Sequence, residues 1–139
     1  MTQEDKELLL KDLCARLPYR VKYMDLWNPD ELPTTLCDIN VDVELIMNTD
    51  GFSLEVEKCK PYLFPLSRLN SLTEEQKKTL KVMCDWNDEE ADAQSILVLY
   101  QKHFVMKTDV IDWLNENHFD YRGLIEKGLA LDATELNIY

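Results

Sequence analysis

Glycine is scarce in this chain, with only Gly51, Gly123 and Gly128 in 139 residues. A loop that cradles phosphate needs several closely spaced glycines so that the backbone can approach the anion, and P-loop and dinucleotide-binding motifs are accordingly absent. No serine stands in a G-x-S-x-G elbow, and neither His103 nor His118 has a cysteine or serine beside it in a catalytic motif. The four cysteines, Cys14, Cys37, Cys59 and Cys84, are widely spaced and include no C-x-x-C pair. This spacing predicts free, mostly buried thiols rather than a zinc site. No catalytic residue, metal or cofactor is assigned.

Long apolar runs are missing too. The opening MTQEDKELLL puts acids where a signal peptide needs positive charge, and Leu8, Leu9 and Leu10 are too few for a membrane span. These features predict a cytoplasmic protein with no membrane association. Basic residues are the next shortage. A net charge of -12 disfavours direct nucleic-acid binding and makes a basic protein the natural partner.

What is present reads as a folded single domain of the α+β class. Its 45% hydrophobic content, with three Trp, six Tyr and four Phe, supplies a core that disordered chains of similar charge lack. Thr2 and Asp5 make a near capping box, and Leu9, Leu10, Leu13, Cys14 and Leu17 then recur at helical spacing until Pro18. Tyr19, Val21 and Tyr23 alternate with Arg20 and Lys22, predicting a strand over about 19–26. Trp27–Pro33 reads as a loop. Cys37, Ile39, Val41, Val43, Leu45 and Met47 alternate with polar residues as one long half-buried strand, or two broken by a bulge. Turn residues Asn48–Gly51 and the return of Phe52, Leu54 and Val56 complete a hairpin over about 35–58.

Lys60–Pro65 is expected to be an extended link, because prolines lack ladder donors. A second helix, announced by the capping box in Leu72–Gln76, continues to about Trp86. Asp88 is expected to cap a third, built on Ala93, Ile96, Leu97, Tyr100 and Phe104. Thr108 or Asp109 starts a fourth, and Asp120 caps a short fifth that ends at Gly128. The chain thus divides into a β-rich half, 1–66, with a small antiparallel sheet, and a helical half, 67–139, with three to four helices.

Two local constellations bear on chemistry. Asp109, Asp112, Glu116, His118 and Asp120 offer oxygen and nitrogen donors for a divalent cation, the basis of an alternative reading as a metal-dependent hydrolase. Acids at helix starts equally complement the helix dipole, which also accounts for Asp85, Asp88, Glu89, Glu90 and Asp92. His103 is expected on a helix surface and His118 in a turn.

The β-rich half holds the more unusual pattern. Between Lys22 and Lys58 there are nine acids and no Lys or Arg. With Asn48–Gly51 as the loop, Glu44 faces Glu55 and Asp42 faces Glu57 across the hairpin, and like charges so placed destabilise a sheet. Compensation is expected either from Arg20 and Lys22 or from a basic partner. Asp38, Asp42, Glu44, Glu55 and Glu57 are therefore the candidate binding residues, for a basic protein or, as a special case, as a nucleic-acid mimic.

Trp113-Leu114-Asn115-Glu116-Asn117-His118-Phe119-Asp120-Tyr121-Arg122-Gly123-Leu124-Ile125-Glu126-Lys127-Gly128-Leu129-Ala130, with Lys6–Tyr19 and Lys60–Leu66, resembles a signature of small proteins from gut Bacteroidetes and their phages. The resemblance implies a mobile-element setting and no assigned activity. Physically the segment reads as an aromatic-rich corner, with Arg122 placed to pair with an acid.

Overall fold

The computed structural model describes residues 1–86 and 90–139. The first helix, α1 (Gln3–Arg16), opens with a complete capping box: the Thr2 hydroxyl accepts from the Asp5 N–H, and the Asp5 carboxylate accepts from the Thr2 N–H. Its buried face carries Leu9, Leu10 and Leu13, with Cys14 exposed. A 3₁₀ turn, Leu17–Tyr19, ends at Arg20 in the left-handed region (φ 57°), and the chain enters the sheet.

Six strands follow: β1 (Lys22–Asp25), β2 (Thr34–Asn40), β3 (Leu45–Asn48), β4 (Ser53–Glu55), β5 (Cys59–Leu63) and β6 (Leu131–Asp132). Their spatial order is β4-β3-β2-β1-β5-β6, and every neighbouring pair is antiparallel except β5 and β6. The sheet is therefore mixed rather than purely antiparallel.

Three expectations are corrected here. The long alternating segment, expected as one strand or two broken by a bulge, is two strands, but the break between them is a full reversal at Val41–Glu44 and not a bulge. The Asn40 side-chain oxygen accepts from the Asp42 and Val43 N–H groups, and Glu44 turns through φ 54°. Asn40 thus makes the turn without glycine or proline. The core face holds Leu36, Ile46, Leu54 and Val56, while Val41 and Val43 are 56% and 58% exposed. A bulge between Leu36 and Asp38 shifts the register of β2, and one residue of shift exchanges the two faces of a strand.

The Lys60–Pro65 link proves to contain most of an internal strand. Pro61 pairs with Tyr23, and because the Leu26 N–H donates to the Lys58 C=O, Tyr23 and Pro61 fall at a pair that exchanges no hydrogen bond. On its other side, β6 starts pairing only at Tyr62. The missing N–H of Pro61 therefore costs no ladder bond.

The third correction concerns the C-terminal half. Helices α2 (Glu74–Met83), α3 (Ala93–His103) and α4 (Thr108–Glu116) form, but no helix follows Asp120. Its carboxylate caps the Leu124 and Ile125 N–H groups at 2.9 Å each, after which Gly123 and Gly128, both with φ above +70°, keep the segment in successive turns. The chain then joins the sheet as β6. Asp92, not Asp88, caps α3, and Asp88 and Glu89 lie outside the described residues.

The described residues form two cores. Leu9, Leu13, Tyr23, Leu36, Ile46 and Leu63 build one between α1 and the sheet, and Leu124, Leu129 and Ala130 return to it, so 67–139 is not purely a helical half. Leu69, Leu80, Ile96, Leu97, Val110 and Leu114 build the other among the helices. Each such side chain contributes about 1.5–3 kcal/mol by leaving water. Two thiols, Cys59 and Cys84, are buried, whereas Cys14 and Cys37 are exposed.

A buried ionic cluster joins α1 to the C-terminal segment. Arg16, fully buried, donates from Nε to Asp12 at 2.8 Å and from its terminal nitrogen to the Phe119 C=O at 2.6 Å. Arg122 approaches the other Asp12 oxygen at 3.4 Å, so the aromatic-corner arginine does find an acid. Removing one member of such a cluster strands the others as unpaired buried charge. Asp12→Ala is expected to lose about 3–5 kcal/mol in urea denaturation, and Asp12→Leu with Arg16→Met should lose clearly less than that single change.

Candidate functional site

The connection from β1 to β2, Leu26–Pro33, is tied down by Asp25, whose carboxylate accepts from the Trp27 N–H at 2.8 Å and the Asn28 amide at 3.3 Å. The β3–β4 turn is shaped likewise by Asn48, whose side-chain oxygen accepts from the Asp50 and Phe52 N–H groups, with Gly51 at φ 85°. Between these two loops lies an open groove of about 560 Å³, lined by Asp25, Asp30, Glu31, Asp50, Leu32 and Phe52 among others. Among the described residues no Lys or Arg lines it. Leu32 and Phe52 are 89% and 71% exposed, large apolar groups standing amid carboxylates.

The five acids expected to share one face are divided. Observed pairs are Leu45 with Glu55, Ile46 with Leu54 and Met47 with Ser53, so Glu44 does not oppose Glu55. Glu44 and Glu57 instead turn toward α1, where the Lys6 ammonium bridges them at 3.3 and 3.7 Å. Glu44 first, then Glu57, hold Lys6 above its ordinary pKa. Asp38 and Glu55 are exposed on strands and Asp42 sits in the Val41–Glu44 turn. For Glu44 and Glu57 compensation is internal, and it comes from Lys6 and not from Arg20 or Lys22. Asp38, Asp42 and Glu55 do not line the groove, whose carboxylates are Asp25, Asp30, Glu31 and Asp50.

The C-terminal donors are not gathered. Among the described residues no group of three His, Cys, Asp or Glu is placed to hold a metal ion. Asp109 accepts from its neighbour Val110 N–H, Asp120 is engaged as a cap, and Asp112 is exposed. His103 is exposed at the end of α3, and Asp85 pairs with Lys107.

His118 holds an unusual position. It turns the chain after α4 at φ 63° and its ring stacks on Tyr139 at 3.6 Å between centroids. Its Nδ1 is buried with no hydrogen-bond partner. Burial, helped by the nearby Arg16 charge, lowers its pKa to about 4. Tyr139 is fixed in turn by its hydroxyl, which accepts from the Lys22 N–H at 2.7 Å and donates to the Tyr62 C=O at 2.8 Å. Continuing the β1–β5 register would pair Lys22 with Tyr62, so this hydroxyl occupies the place of the next ladder bond.

Sequence reasoning passed over three of these residues. Asp12 and Arg16 sit on the same helical stripe as Leu9 and Leu13, a spacing that marks them as buried. Tyr139 carries no local signal. No protein-family model, curated protein or solved structure matches this chain.

Two outcomes follow. A depressed histidine pKa means the unfolded chain binds the extra proton, so the stability due to neutral His118 is full above about pH 6.5 and is lost as pH falls toward 4. His118→Gln should therefore show a shallower loss of stability than the parent between pH 6.5 and 4 in chemical denaturation. Tyr139→Phe should cost about 1 kcal/mol and speed amide exchange at Lys22.

Proposed function

We propose that this chain is a non-enzymatic accessory protein that holds a basic segment of another protein in the acidic groove between the β1–β2 and β3–β4 loops. The observation that carries the reading is the composition of that groove: four carboxylates around exposed Leu32 and Phe52, with no lining base among the described residues. Such a surface suits a peptide that alternates cationic and apolar side chains, the first drawn in by charge and the second covered on binding.

Charge favours a polypeptide over nucleic acid, whose phosphates the same carboxylates repel. No helix among the described residues is long and apolar enough to cross a membrane. The mobile-element setting implied by the C-terminal signature is consistent with an accessory role in the cytoplasm. A nucleic-acid mimic would need its carboxylates arrayed along one face, whereas Lys6 draws Glu44 and Glu57 toward α1. The metal-dependent reading gains no support from the dispersed C-terminal donors.

Fluorescence anisotropy with a labelled peptide alternating arginine and leucine tests the reading. Binding should saturate at low salt and weaken about tenfold or more as salt is raised. Asp30→Asn with Asp50→Asn should weaken it about tenfold, while Asp38→Asn with Glu55→Gln should leave it nearly unchanged. Absence of binding at low salt, or equal loss in both double variants, would overturn the proposal. So would displacement of the chain's partners by DNA with no binding of the peptide, the result a mimic gives.

A further inference from the structure

A second concavity, of about 420 Å³, lies between the start of α2 and the turn that follows α4. Its size is that of a small-molecule site, and its lining combines a ring-built wall with a few polar groups, as such sites do. The wall is made by His118 stacked on Tyr139, by Phe64, which meets the Tyr139 ring edge-on at 5.7 Å, and by Phe119, 6.1 Å from Phe64. Tyr139 is held at its hydroxyl and His118 by the backbone pairing of its C=O with the Phe64 N–H at 2.8 Å, so the wall is set before any ligand arrives.

Among the described residues Arg68 is the one Lys or Arg on the lining. Its guanidinium carbon lies 3.8 Å over the Phe64 ring centroid, and among the described residues no carboxylate comes within ion-pair distance of it. A guanidinium resting on a ring face keeps its N–H edge for a planar, forked acceptor. Thr73 and Gln76 flank it at the start of α2, where the partial positive charge of the helix end adds to the attraction for an anion. Among the described residues Glu116 is the only acid on the lining, and it opposes a ligand of high negative charge.

From these contacts we infer that the concavity binds a small monocarboxylate with a flat apolar body, its carboxylate on Arg68 and its body against the Phe64, His118 and Tyr139 rings. The site is separate from the acidic groove and stands or falls independently of it.

Titration of the nitrogen-15-labelled full chain with benzoate, benzyl alcohol and inorganic phosphate tests the inference. Benzoate should give saturable amide shifts centred on Phe64, Arg68, Thr73, His118 and Tyr139, with a Kd of roughly millimolar order. Benzyl alcohol, which has the ring without the charge, and phosphate, which has charge without a ring, should each bind at least about tenfold more weakly. Arg68→Gln should reduce benzoate to the level of benzyl alcohol with the melting transition retained, and Arg68→Lys should keep part of the difference. Equal binding of benzoate and benzyl alcohol, phosphate binding as tight as benzoate, or shifts that do not saturate would each overturn it. The comparison of three ligands on the unaltered chain decides the matter even if Arg68→Gln fails to fold.

Discussion

The Asp12–Arg16 pair is the interaction on which the remaining architecture depends. Two charges taken wholly out of water must repay a desolvation cost of several kcal/mol each, and hydrogen bonds to their remaining donors and acceptors offset part of it. Arg16 places one terminal nitrogen on the Phe119 carbonyl, a contact across 103 residues of chain, while its other terminal nitrogen and the second Asp12 oxygen are buried without a hydrogen bond. Holding Phe119 there lets the flanking backbone exchange bonds with Phe64, through the His118 carbonyl and the Asp120 N–H. Asp120 then starts the turns that carry Leu124 and Leu129 back under α1. The aromatic signature around His118 to Arg122 is therefore a docking segment for α1, which gives a physical reason for so many polar and aromatic groups in eighteen residues without assigning them chemistry.

Charge is organised on a different principle at the other end of the sheet. The span between Lys22 and Lys58 carries acids with no base of its own, and one ammonium from α1 serves two of the carboxylates. Exposed ion pairs of this kind add little stability in themselves. Their effect is positional: by gathering Glu44 and Glu57 near the helix, Lys6 sets these two acids apart from the four carboxylates of the groove. The functional reading rests on this separation more than on net charge, since a uniformly acidic surface would have no preferred place for a cation.

Much of the fold was legible where one local rule acted alone. The capping boxes at Thr2 and Thr73 are set by contacts three residues apart and stand where the spacing predicts. The apolar stripes of α1 and α3 are buried at Leu9, Leu10 and Leu13 and at Ala93, Ile96, Leu97 and Tyr100, whereas Cys14 and Phe104, expected on the same stripes, are exposed. The hairpin region was legible as strand but not in register. Strict alternation through Val41 and Val43 outweighed Asn40, whose side chain folds the chain back, and across the next turn Ile46, not Leu45, meets Leu54. Pro61 misled for a related reason, because its tolerance depends on which neighbour it meets in space. The groove was legible only as a shortage of bases; its position depends on two loops brought together by pairing. The concavity beside Arg68 joins residues 64 to 76 with 116 to 139, and no short window of sequence contains it.

The hydroxyl that Tyr139 places between Lys22 and Tyr62 also bears on how the chain reaches its structure. This contact spans 117 residues, and together with the Arg16–Phe119 bond it means that β1, early in sequence, is completed only by a segment that arrives late. Loop closure grows slowly with length, each doubling costing only about 0.6 kcal/mol, so a span of this size is thermodynamically cheap. Kinetically it is not, because non-local pairings must be found by search before they repay the entropy spent on them. Until that search ends, the β1–β5 seam has an open end, and the rate at which the seam closes sets how long the central strands remain available to wrong neighbours.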